Sequence, residues 1–168
     1  MKRTLTIIAA TLAFTTFASQ PESPATIPVE NNLSTQDRTH FTLAEFDGFR
    51  FDLPEGCLTE TGRNTFMAKY SDGSFGVSMM RTDAKASDQK RATAVVQGLA
   101  KTMHLPLSSV RQTTVNGMKG AIVTGDMEGK QVTAAVIVHK GRELQIVAMS
   151  DPLHTDWTRQ LFKTLDRK

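Results

Sequence analysis

Three glycine turns in the second half of the chain constrain its fold more than any other feature. Asn116-Gly117, Glu128-Gly129 and Lys140-Gly141 each separate runs of alternating apolar and polar residues. A residue pair ending in glycine tolerates the positive φ angles that a two-residue hairpin needs. The segments 109–115, 118–126, 130–139 and 143–150 are therefore predicted to form a four-strand meander. Strands joined so tightly pair antiparallel, which argues against the parallel sheet of a nucleotide-binding fold.

The first half repeats the device. FTLAEF and FRFDL flank Asp47-Gly48, and TFMAKYS and FGVSMMRT flank Asp72-Gly73 with a slightly longer loop. Phe66, Ala68 and Tyr70 alternate with Met67 and Lys69, a strand period. Between residues 86 and 104 the period changes. Ala92, Val95, Val96, Leu99 and Met103 recur at three- and four-residue steps, while Lys90, Arg91, Gln97 and Lys101 face elsewhere. This predicts an amphipathic helix starting near Ser87 or Asp88, laid on the sheet, with Gly98 permitting close approach. A last helix is predicted after Asp151-Pro152, with Leu153, Trp157, Leu161 and Leu165 as its apolar stripe. The expected order is β-β-β-β-α-β-β-β-β-α, an α+β fold with a mainly antiparallel sheet of hairpins and two packed helices.

The N-terminus carries an address. Lys2 and Arg3 precede a charge-free apolar run of 13 residues from Leu5 to Phe17, the length of a secretory h-region and too short to span a bilayer. Cleavage is expected after Ala18, or after Ala25. Residues 1–18 thus read as a signal peptide, 19–40 as a flexible Pro-containing leader, and 41–168 as one α+β domain. The Asn32-Leu33-Ser34 sequon is discounted, because the head and short core are equally at home in bacteria. The formal charge of +3 includes Lys2 and Arg3, so the exported chain is near neutral and carries no basic stripe for nucleic acid. Its single cysteine, Cys57, permits no internal disulfide and lies too far from the h-region to be a lipoprotein anchor. Neither a transmembrane nor a lipid anchor is expected; the location is periplasmic or secreted.

The strand-turn segment FRFDLPEG (Phe49 to Gly56), the meander beginning GMKGAIVTGDMEGK and the closing helix WTRQLFKTL resemble the PsbP-like superfamily. That group includes the photosystem II extrinsic protein and bacterial envelope proteins related to DcrB. The resemblance spans residues 41–166 and implies a compact α/β sandwich serving as a binding or accessory subunit. The superfamily shares no catalytic constellation, so no functional residue is carried over.

Most familiar catalytic and metal-binding patterns are missing from the sequence. His40, His104, His139 and His154 fall on different predicted elements without metal-ligand spacing. Asp151, His154 and Asp156 are accounted for by a helix start. Ser87-Asp88-Gln89-Lys90 matches S-x-x-K, yet its partner motifs are missing; G-x-S-x-G, the P-loop and C-x-x-C are absent. No cofactor or metal is expected. Met67, Met79, Met80, Met103, Met118, Met127 and Met149 are numerous for this length, and would bear on binding only if they lined one adaptable groove.

The expectation is an exported, non-catalytic binding or accessory protein of the cell envelope, whose partner is an envelope protein or a small apolar ligand. The alternatives are a small hydrolase assembled in space around His139 or His154, and an envelope component self-associating through an edge strand. If Val132, Ala134, Val136 and Val138 face the helices, the opposite face of that strand, Gln131, Thr133, Ala135, Ile137 and His139, is the expected binding surface.

Overall fold

The computed structural model describes residues 40–83 and 88–167. The expected signal peptide and leader, and Ser87 of the S-x-x-K match, lie outside them. The chain runs β1 (Phe41–Phe46), β2 (Phe49–Pro54), β3 (Leu58–Thr61), β4 (Thr65–Lys69), β5 (Phe75–Asp83), α1 (Gln89–Thr102), β6 (Arg111–Val115), β7 (Met118–Met127), β8 (Lys130–His139), β9 (Arg142–Ser150), α2 (Thr155–Thr164) and β10 (Asp166–Arg167). Two antiparallel sheets result among the described residues: a small one ordered β1-β2-β10 and a seven-stranded one ordered β3-β4-β5-β9-β8-β7-β6.

The predicted turns form as their chemistry requires. Asp47-Gly48, Asn116-Gly117, Glu128-Gly129 and Lys140-Gly141 all hold positive φ at both central positions. That is the type I′ geometry whose twist matches the flanking strands. Asp72-Gly73 closes a longer loop, in which Asp72 Oδ1 accepts from the Ser74 N–H at 2.7 Å. Two strands were not legible in the periodicity. β3 (LTET) is exposed throughout, and β10 has only two residues, pairing with β2 at Arg50 and Phe49.

The large sheet is covered on both sides, by different things. Ala92, Val96 and Ala100 of α1 pack on Ala121, Val123, Val132, Ala134 and Val136. On the opposite face, α2 supplies Trp157 and Leu161, the residue after it supplies Leu165, and the small sheet supplies Phe49, Phe51 and Leu53, to a core with Phe75, Met79, Ile137 and Ile146. Close approach on the α1 side comes from the alanines and from Gly125, where a Cβ would stand 2.8 Å from Pro106. Gly98 lies about half a turn away from the Ala92–Val96–Ala100 stripe, so it is not the contact point expected of it.

Local details refine the helices. Asp88, rather than Ser87, caps α1, accepting from the Arg91 N–H at 2.7 Å. Arg91 does not simply face solvent: its Nε donates at 2.7 Å to Glu143, a carboxylate only 1% exposed. The last helix begins later than expected. Pro152–His154 is a 3-10 turn, so Leu153 is 92% exposed and leaves the apolar stripe to Trp157, Leu161 and Leu165. The Asp151 carboxylate makes no cap; it pairs with Lys130 at 3.0 Å.

Candidate functional site

The expected binding face on β8 is not a surface. Thr133 is 5% exposed and Ala135 and Ile137 are fully buried; Gln131 and His139, at the strand ends, are only partly exposed. The strand lies near the middle of a sandwich, where α1 takes one face and the α2 side takes the other. Of the expected face Gln131, Thr133, Ala135, Ile137 and His139, the three central residues are closed off by burial, and only Gln131 and His139 keep partial exposure.

The histidines do not converge either. His139 ends β8 and His154 follows β9 at its far end, a separation of about 25–30 Å along a strand of nine residues. His154 stacks on Trp157 at 4.1 Å between ring centroids, and Trp157 also meets Tyr70 and Phe75. His139 stands near Arg167 and Lys140; burial first, and then these two cations, hold its pKa below the usual histidine value. The methionines are likewise dispersed. Met79 and Met118 belong to one core, Met149 to the other, and Met67 is exposed.

A concave surface lies elsewhere among the described residues. A groove of about 360 Å³ opens between the small sheet and the β3 edge of the large one, lined by Thr42, Leu43 and Ala44 of β1, Cys57, and Thr59 and Thr61 of β3, with Phe66 beneath. Its origin is topological: β1 ends one sheet and β3 ends the other, and both edges fall on the same side of the sandwich. At the far end of β1 the sheets are pinned together. Asp47, in the β1–β2 turn, accepts from Arg81 at 2.9 Å and from Arg142 at 3.2 Å. Leu43 is 60% exposed at the groove rim. Burial pushes the Cys57 thiol up to about 11, so at neutral pH it is protonated and a poor nucleophile. It acts there as a small apolar lining.

Hydrogen-bond alternation shows which groups β3 leaves open. The Gly62 N–H donates to the Thr65 carbonyl at 2.8 Å, and the ladder pairs Thr61 with Phe66, Glu60 with Met67 and Leu58 with Lys69. In an antiparallel ladder, directly opposed residues are hydrogen-bonded to each other at every second pair. Gly62, Glu60 and Leu58 therefore bond to β4, whereas Thr59 and Thr61 turn their N–H and C=O groups outward. Their side chains line the groove. Leu58 and Glu60 point to the opposite face, beside Met67, in the part of the sheet that α1 does not reach; Leu58 is 62% and Met67 39% exposed. The sequence reading missed this region because LTET carries no apolar period. The remaining sequence signal is Leu58, a lone aliphatic residue between the PEG-Cys turn and a polar stretch.

Among the described residues no group of three or more His, Cys, Asp or Glu side chains could hold a metal ion, and no helix is long and apolar enough to cross a membrane. No protein-family model matches the chain. No curated protein matches it either. Solved structures do. The solution structure of cyanobacterial PsbP (CyanoP) from Synechocystis sp. PCC 6803 superposes with a TM-score of 0.55 at 9% identity, covering 82% of this chain and 98% of that one. A Bacteroides thetaiotaomicron VPI-5482 crystal structure gives 0.47 at 14% identity, covering 72% of this chain and 45% of that one. PA94, a Pseudomonas aeruginosa protein of unknown function, gives 0.38 at 12% identity, covering 77% and 98%. At 9% identity the likeness to CyanoP concerns architecture alone: with antiparallel sheets and two helices, the chain has a PsbP-like α+β fold.

Proposed function

We propose that this protein is an exported, non-catalytic binding or accessory module of the bacterial cell envelope, akin to the DcrB-related proteins, which engages an envelope protein through the groove between β1 and β3. The observation that carries the reading is the groove itself: a mixed apolar and hydroxyl-lined cleft open along two sheet edges. Such a surface offers contact area and backbone hydrogen bonding without concentrated charge, which suits a polypeptide better than a phosphate backbone. The PsbP-like fold supports an accessory role by analogy.

The test is an affinity pull-down from envelope extract with the chain from residue 19 onward, compared with a Leu43→Asp variant. Leu43 is exposed, so the change leaves the core alone; because it sets a carboxylate opposite Asp52 across the β1–β2 ladder, circular dichroism of the variant checks that the small sheet is kept. A partner recovered by the wild type and lost with Leu43→Asp supports the reading; equal recovery removes the groove as the binding surface. Mass spectrometry of the N-terminus from an envelope fraction tests export, and a chain still beginning at Met1 overturns it.

A further inference from the structure

We propose that β3 accepts an added strand from a partner polypeptide that carries a basic residue between apolar ones. This deepens the groove-binding reading and rests on it. Four observations converge on this strand. β3 is an outer strand of the large sheet. Thr59 and Thr61 direct their backbone N–H and C=O groups away from β4, as the Gly62–Thr65 bond and the ladder register require. Their side chains line the groove on one face of that edge. On the other face stand exposed Leu58 and Glu60, with Met67 behind them. An eighth strand would thus find backbone partners, a cleft on one side for alternate side chains, and on the other the Leu58 and Met67 side chains with the Glu60 carboxylate on the outer strand, Lys69 standing behind Leu58 on β4. Main-chain bonds supply affinity in this mode, and alternate side chains supply selectivity.

Charge chooses the occupant. A second copy pairing antiparallel through the whole of β3, with Thr59 bonded opposite Thr61, sets Glu60 directly opposite its own counterpart. Like charges so placed oppose pairing. A basic residue at that position attracts instead, and an apolar neighbour two residues along covers Leu58. The side chains on either side of the basic residue enter the groove beside Thr59 and Thr61, where a β-branched apolar residue fits the cleft.

The probe is an acetylated, amidated peptide, TVKVL, aligned so that its lysine opposes Glu60 and its two valines oppose Thr61 and Thr59. Titration of the isotope-labelled protein is expected to shift and protect the Thr59 and Thr61 amides. N-methylation of both valines, whose N–H groups face β3, is expected to weaken binding more than tenfold; N-methylation of the lysine, whose N–H faces away, is expected to leave it within twofold. Thr59→Pro is expected to cost more than tenfold too, because it removes an outward N–H without removing a ladder bond. TVEVL binds severalfold more weakly than TVKVL, and Glu60→Lys reverses that order. The N-methylated peptides keep the test intact if Thr59→Pro folds poorly.

No binding at millimolar peptide overturns the proposal. So does binding indifferent to valine methylation, or amide shifts confined to β6. Self-association that Thr59→Pro abolishes assigns the edge to a second copy and overturns the heterologous partner. In the pull-down, recovery lost with Leu43→Asp but kept with Thr59→Pro sinks strand addition and leaves the groove reading standing; recovery kept with both sinks the two together.

Discussion

The β8 centre of the large sheet and its β3 edge are both antiparallel hairpin strands, yet one is closed to solvent on two faces and the other is open on nearly all sides. β8 sits between β7 and β9, with α1 above and the α2 side below. β3 has one neighbour, and its four residues are all exposed. Secondary structure alone therefore says little about where a sheet protein can bind. Position within the layers decides it.

The widest separation between the two regions should appear on introducing charge. Thr133→Arg is expected to destabilise by more than about 4 kcal/mol, since it buries an unpaired cation in an apolar layer. Met67→Arg, on the uncovered face beside β3, is expected to stay within about 0.5 kcal/mol of wild type. Urea unfolding of the two variants checks this. Equal losses would mean that the exposed face of β3 and β4 is packed in solution, and the contrast would fail.

A smaller effect sharpens the comparison at the turns. Glu128 and Lys140 hold φ of 53° and 46°, a region that L residues other than Asn and Asp enter at a cost. Glu128→Asn and Lys140→Asn are each expected to raise stability by about 0.5 kcal/mol, measured by denaturant midpoint at constant slope. The β3–β4 link has no such turn: Gly62 is not at positive φ, and an Asn placed there gains nothing by this route.

The smallest effect is a pH response at the end of β8. His139 is held below its ordinary pKa, so the folded state favours the neutral ring. Its contribution is complete above the ordinary histidine value and is lost as pH falls through the lowered folded value. Stability of the wild type should therefore fall more steeply than that of His139→Gln between pH 7 and pH 5. Parallel profiles from thermal unfolding would show that neither burial nor the nearby Arg167 and Lys140 shifts this ring.

Much of the architecture was legible in the sequence because hairpin chemistry is local. The Asn-Gly, Glu-Gly and Lys-Gly pairs sit where positive φ is needed, and the α1 stripe follows the helical period. What was not legible is layering. Thr133, Ala135 and Ile137 alternate with valines as a half-exposed strand would, but the run VTAAVIV is apolar or small on both sides, the pattern of a strand buried twice. The small sheet supplies part of the cover on the α2 side, and β10, which completes it, is too short to signal itself. The groove followed the same logic: it belongs to two edges brought together by topology, and no segment of the chain encodes it alone. Spacing puts Leu153 in the α2 stripe, whereas Pro152 starts a 3-10 turn that leaves it exposed.

The way β2 is completed has a kinetic consequence. Its second neighbour is β10, its Asp52 N–H donates to Thr164 Oγ1 across 112 positions of sequence, and Asp52 also accepts from Gln160. The entropy of closing so long a loop is lost before those contacts can offset it. During synthesis the early strands thus wait, half satisfied, until the last helix has emerged, and the molecule cannot settle from its N-terminal end. A chain ordered in this way completes its fold late, after its last helix is available.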